Sequence, residues 1–182
     1  MNAGKAGGHI KRAPGKTSFA SRLTSYISTY MIGLGTQIRH LIALLDGAVQ
    51  QTYDRLGADF RPRFFPIAQL LIEQGHSSVG EIAAGTGVSQ PAATQTINEM
   101  KKLGLIDTVR GEDRRQHLIR LSVKGRELAA LLSDTWKAID AAAARLDAEL
   151  PYGLELAVRD TLAALERQPF VDRIAAEMGD RK

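Results

Sequence analysis

The chain has 182 residues, 44% hydrophobic and 24% charged, with a net charge of +4 and no cysteine. This is the composition of a globular protein of about one domain with appendages, long enough to bury a core without disulfide or metal staples. Thiol catalysis, iron–sulfur clusters, cysteine-ligated zinc and thiol redox sensing are excluded, and no apolar run reaches the ~18 residues of a membrane span.

Residues 1–18 combine Gly and Ala with Lys5, Lys11, Arg12 and Lys16 and hold no acid, so a disordered basic arm is expected. Pro14-Gly15-Lys16-Thr17 resembles part of a phosphate-binding loop, but Ile10 stands where that loop needs glycine and no strand precedes it. The N-terminus also lacks the apolar core of a signal peptide, and a soluble, cytoplasmic protein is expected. Leu23, Tyr26, Ile27, Tyr30, Met31 and Leu34 follow helical spacing, weakened by Gly33 and Gly35. A stronger stripe, Ile38, Leu41, Ile42, Leu45, Val49, Tyr53 and Leu56, predicts a helix ended by Gly57. After Arg61-Pro62-Arg63 comes a short apolar helix, from Phe64 to about Gln74, closed by Gly75.

Ser78-Val79-Gly80-Glu81 has the form of a capping box and opens a helix over residues 79–84. Gly85-Thr86-Gly87-Val88 reads as a turn. Ser89 is a second N-cap with Pro91 tolerated in the first turn, and that helix runs to about Leu103 before Gly104. Residues 105–110 and 116–122 read as the strands of a hairpin joined by residues 111–115. Ser122 then caps a helix from about Val123 to Leu150, striped by Leu128, Leu131, Leu132, Trp136, Ile139, Ala143, Leu146 and Leu150. At 1.5 Å per residue it would be ~42 Å long, too long to cover its own stripe in a small monomer, so packing on another chain is expected. Pro151 and Gly153 break it. Leu154, Val158, Leu162 and Leu165 mark a further helix, and Phe170 to Met178 a last one.

Charge is unevenly spread: +4 over residues 1–18, +1 over 19–77, +3 over 78–126 and −4 over 127–182. Positive segments beside an acidic C-terminal third suit contact with a polyanion, although a solvated surface produces the same asymmetry. The order helix, turn, helix, hairpin over residues 78–122 is that of a winged helix-turn-helix, with small Ala83 at the helix crossing and Gly87 supplying the turn. With Ala93, Ile97 and Met100 turned inward, the second helix presents Pro91, Thr94, Gln95, Asn98 and Lys102 outward. Thr, Gln and Asn can hydrogen-bond base edges, and the amide-rich start of that helix, at Ser89 and Gln90, suits a phosphate. A polar helix face alone is more often simply solvated. The combination with an arginine-tipped hairpin favours double-stranded DNA.

These residues resemble the MarR family of transcription regulators: residues 88–94 (VSQPAAT), 100–106 (MKKLGLI), Asp113-Arg114-Arg115, and residues 121–125 (LSVKG), where Ser122 keeps the hydroxyl of the family's usual threonine. The resemblance spans roughly residues 34–168 and is specific mainly within 78–126. It implies a mainly α fold with a small β wing, a winged helix-turn-helix joined to a helical dimerisation region. The implied division is a basic arm over 1–18, N-terminal dimerisation helices over 19–60, the DNA-binding winged domain over 61–122, and the long helix with C-terminal dimerisation helices over 123–182. It further implies a homodimer on a palindromic operator, a repressor released by a small aromatic or anionic effector, Arg114 in the minor groove, and Asp113 paired with Arg115. Gln95 departs from the arginine frequent at its position, which removes the commonest guanine reader. For the effector, the aromatic residues Tyr53, Phe60, Phe64, Phe65 and Trp136 with His76 offer a lining, and Arg61 or Arg63 an anion partner.

His9, His40, His76 and His117 lack the spacing of metal ligands, and no catalytic constellation emerges. No cofactor, metal or enzymatic role is expected. The competing reading is a winged-helix protein-interaction module that does not bind DNA, distinguishable by the salt dependence that phosphate contacts impose.

Overall fold

The computed structural model describes residues 33–111 and 117–179. The chain divides into two compact units, Met1–Ala48 and Val49–Lys182. The first unit contributes the start of α1 (Leu34–Arg55), where Ile38, Ile42, Leu44 and Leu45 are all exposed. The basic arm and nearly all of the helix predicted over residues 23–34 lie outside the described residues.

In the second unit, the end of α1 leads to a 3-10 turn (Pro62–Phe64), then α2 (Phe65–Gln74), α3 (Val79–Thr86) and α4 (Gln90–Lys102). A hairpin of β1 (Ile106–Arg110) and β2 (His117–Leu121) follows, then α5 (Val123–Ala148), α6 (Leu154–Arg167) and α7 (Phe170–Gly179). The fold is mainly α with a small β wing, a winged helix.

One apolar cluster organises this unit. Tyr53 from α1, Phe60 and Phe64 from the connection, Ile67 and Leu71 from α2, Ile82 from α3, and Ile97 and Met100 from α4 meet Leu105, Ile119, Leu132 and Trp136. The strands pair antiparallel with Ile106 opposite Leu121 and Thr108 opposite Ile119, so Ile106, Ile119 and Leu121 turn into the core. Ser77, just before α3, adds a third edge to this sheet by exchanging both backbone hydrogen bonds with Ile119, at 2.9 and 2.8 Å. A lone bridging residue has no period-2 signature, which is why the sequence pattern did not reveal it.

Three expectations need correction. α3 continues through Gly85 to Thr86, whose hydroxyl donates to the Ile82 carbonyl at 2.7 Å; Gly87, at φ +68°, opens the turn, and Val88 and Ser89 complete it. α5 ends at Ala148, giving about 39 Å. Its buried stripe is Gly125, Ala129, Leu132 and Trp136, and Leu131, expected inside, is 68% exposed because it falls a quarter-turn away.

Candidate nucleic-acid interface

The helix pair α3–α4 is closed by local chemistry at each end. Ser78 Oγ accepts from the Glu81 amide at 3.2 Å while the Glu81 carboxylate accepts from the Ser78 amide at 2.7 Å, the predicted capping box. That backbone hydrogen bond is the main reason the Glu81 carboxyl lies below the usual carboxylate range. Ser89 Oγ accepts from the Ala92 amide at 3.4 Å and caps α4, with Pro91 in the first turn.

α4 buries Ala93, Ile97 and Met100. On the other side Gln90, Pro91, Thr94, Gln95, Asn98 and Lys102 are exposed and, with Glu99, line one shallow groove. The Thr94 hydroxyl donates to the Gln90 carbonyl at 2.8 Å, which leaves its lone pairs and methyl outward. Gln95 lies beside the Glu99 carboxylate and is the smallest of the influences on it. The exposed amide of Gln95 offers N–H donors and a carbonyl acceptor to a partner. Lys101 reaches sideways to Thr108 of β1 at 3.3 Å, tying the helix to the wing.

Glu99 is also the meeting point of two arginines. Arg63 donates to its carboxylate, and Arg61 lies 3.6 Å from the same oxygen. Both guanidinium groups also lie near the Phe64 ring, 6.0 and 5.8 Å from its centroid. The Arg63 hydrogen bond is the largest influence holding the Glu99 carboxyl below its ordinary range. Arg61 and Arg63, expected as partners of an anionic effector, therefore stand beside α4.

The wing stem is present, with Arg110 opposite His117, whereas Asp113, Arg114 and Arg115 at its tip lie outside the described residues. Behind the wing, Ser122 joins three elements: its hydroxyl donates to the Gly104 carbonyl at 2.6 Å and accepts from the Gly125 amide at 2.9 Å. Gly125 is required by contact, since a Cβ there would lie 2.0 Å from the Leu105 carbonyl oxygen.

Residues 65–116 match the sequence model of the MarR family. Over that segment the chain is similar to the MarR family. No curated protein matches the chain. Among solved structures, CouR from Rhodococcus jostii RHA1, bound to p-coumaroyl-CoA, is 25% identical with a TM-score of 0.55, covering 77% of this chain and 96% of that one. The M. tuberculosis transcriptional regulator MOSR, in complex with DNA, is 21% identical with a TM-score of 0.59, covering 82% and 99%. BpsR of Bordetella bronchiseptica, whose DNA binding is regulated by 6-hydroxynicotinic acid, is 21% identical with a TM-score of 0.53, covering 62% and 80%.

The residues expected to line an effector pocket separate into two groups around this winged-helix core. Tyr53, Phe60, Phe64 and Trp136 are buried and fill space: Phe60 packs on Tyr53, Phe64 and Trp136 at centroid distances of 5.3, 5.6 and 5.7 Å, and Phe65 meets Trp136 at 5.1 Å. The Trp136 indole donates to the Tyr53 hydroxyl at 3.1 Å, and burial pushes that phenol up. His76 is exposed instead. Together with the edge of Trp136 it lines an open cleft of about 710 Å³ between α2, β2 and α5, flanked by Arg120 and Arg126. No signal in the sequence linked these two arginines to His76; the wing and the start of α5 fold over α2 to bring them there. Among the described residues no three His, Asp or Glu side chains cluster as metal ligands, and no helix is long and apolar enough to cross a membrane.

Proposed function

We propose that the protein is a sequence-specific, double-stranded DNA-binding transcriptional regulator that acts as a homodimer on a palindromic site. The observation that carries this reading is the outward face of α4: Gln90, Pro91, Thr94, Gln95, Asn98 and Lys102 are exposed together along one groove on a helix capped at its N-terminus. A helix of this kind fits the major groove, with its free amides at Ser89 and Gln90 meeting a phosphate. The Gln95 amide, with an N–H donor and a carbonyl acceptor, matches the N7 and N6 edge of adenine. Asn98 offers the same pair of groups one turn on. Arg114 enters the adjacent minor groove, braced by Asp113 and Arg115.

The dimer reading rests on apolar side chains that the chain leaves open: Ile38, Ile42 and Leu45 on α1, Leu146 on α5, Leu156 and Leu162 on α6, Phe170, Ile174 and Met178 on α7. On this division residues 61–122 read DNA, 19–60 and 123–182 dimerise, and 1–18 form a basic arm. On this reading the protein is a cytoplasmic regulator and not an enzyme. The cleft with His76, Trp136, Arg120 and Arg126 suits a small aromatic anion, and we assign the effector that relieves repression to it. CouR and BpsR, whose ligands are an aromatic acyl thioester and an aromatic acid, support that chemistry.

The test is unbiased selection of bound duplexes from a random pool. A dyad-symmetric sequence with half-sites about one helical turn apart is the expected result. A pool with no enrichment, together with flat salt dependence, would favour a winged-helix protein-interaction module instead.

A further inference from the structure

Glu99 is an odd residue for a helix that meets DNA. At 100° per residue it lies only about 40° around α4 from Gln95, on the flank of the outward face, and it lines the same groove. A bare carboxylate there would repel phosphates. It is not bare: Arg63 donates to it and Arg61 lies 3.6 Å away, so the three side chains together carry +1 where Glu99 alone would carry −1.

The two arginines are held yet not used up. Pro62 between them fixes the backbone, and Phe64, fully buried, anchors the turn with its ring 5.8–6.0 Å from each guanidinium. A guanidinium has five N–H donors, and one carboxylate engages few of them. The Arg61 and Arg63 side chains remain 48% and 50% exposed, against 24% for Glu99 beneath them. Two preorganised, half-exposed guanidinium groups beside a major-groove helix suit backbone phosphates, because little side-chain entropy is left to lose on contact.

We propose that Arg61 and Arg63 form a phosphate-binding pair flanking the recognition helix, with Glu99 as the positioning residue that fixes them along it. This inference rests on the DNA-binding reading above. It adds contacts from a segment outside both the helix-turn-helix and the wing. Such contacts set affinity and register and carry no base preference.

The measurement is the salt dependence of binding to a random-sequence duplex of about 30 base pairs, long enough for two half-sites a helical turn apart. Each phosphate contact contributes about 0.9 to the slope of log K against log salt. For the full-length protein with Arg61→Ala and Arg63→Ala together, the slope is expected to become shallower by about 2–4 per dimer, with affinity falling evenly across sequences. The Arg61→Lys, Arg63→Lys protein should recover most of the slope, since charge is retained. The arm and wing tip are common to all three proteins and cancel in the comparison. A clasp that only braces the Arg61–Phe64 turn against α4 would lower the melting temperature and leave the slope unchanged, and that outcome overturns the proposal while sparing the regulator reading. Wild-type protein with no salt-dependent duplex binding overturns both.

Discussion

The two halves of α5 obey the same apolar period and end in opposite situations. From Gly125 to Trp136 the stripe is buried, against Leu105 at one end and the Phe60–Phe65 aromatic group at the other. Beyond Trp136 no residue of the helix is buried, and neither α6 nor α7 buries a single residue although both are amphipathic. Helical periodicity reports a face that wants covering; it does not say what covers it. In the first half the cover is the winged domain of the same chain. In the second half Ile139 still packs partly on that core, and beyond it, among the described residues, the stripe stays open, which is the ground for proposing a second copy.

The sharpest way to break the first half is at Gly125. Its added Cβ would lie 2.0 Å from the Leu105 carbonyl oxygen and 3.0 Å from the carbonyl carbon, and neither is a flexible side-chain end that could move aside. Gly125→Ala must therefore displace α5 from the α4–β1 junction. The expected loss is about 3–5 kcal/mol, seen as a fall of roughly 10 °C in thermal unfolding. An unchanged melting temperature would mean that α5 sits farther from Leu105 than described.

The second half is tested by charge on its open face. Leu162 on α6 is 58% exposed, so Leu162→Asp has little core to disturb. If a second copy covers this face, the variant should lose about 1.5–3 kcal/mol of association free energy, the worth of one buried leucine. Sedimentation velocity would show dissociation at concentrations where the wild-type protein is dimeric. Hydrogen-exchange protection of Ile97 and Met100 should stay as it was. A wild-type sedimentation coefficient in the variant would remove α6 from the interface.

What the sequence disclosed follows the same division. The capping box at Ser78 and Glu81, the Ser89 and Ser122 caps and the inward set Ala93, Ile97 and Met100 are local matters of spacing and hydrogen-bond chemistry, and they were readable in advance. The outward face of α4 followed from the same spacing. Three features were not legible because they join residues far apart in the chain. Ser77 pairs with Ile119; Arg61 and Arg63 meet Glu99; His76 shares a cleft with Arg120 and Arg126. The aromatic residues show the limit from the other side: the family resemblance offered Tyr53, Phe60 and Phe64 as a pocket lining, and all three are buried in the core. Leu131 likewise keeps helical spacing with its neighbours and still faces outward, because the width of a buried stripe is set by the partner surface.

The smallest expected effect concerns the local closure of α3, and its pH dependence identifies its source. The Glu81 carboxylate accepts from the Ser78 amide at 2.7 Å, and this bond, aided by His76, holds its carboxyl below the usual range in the folded protein. A carboxylate depressed in this way stabilises the fold above its unfolded titration range, and the contribution is lost as pH falls through the lowered folded value. The melting-temperature gap between wild-type protein and Glu81→Ala should therefore be constant from neutral pH down to the ordinary carboxylate range and then narrow in stronger acid. Glu81 is fully exposed, so salt should trim the gap slightly without abolishing it, since the hydrogen bond to the Ser78 amide is short-ranged. A gap that persists undiminished in acid would assign the stabilisation to helix propensity at residue 81 and detach it from the charged cap, leaving Ser78 alone to open α3.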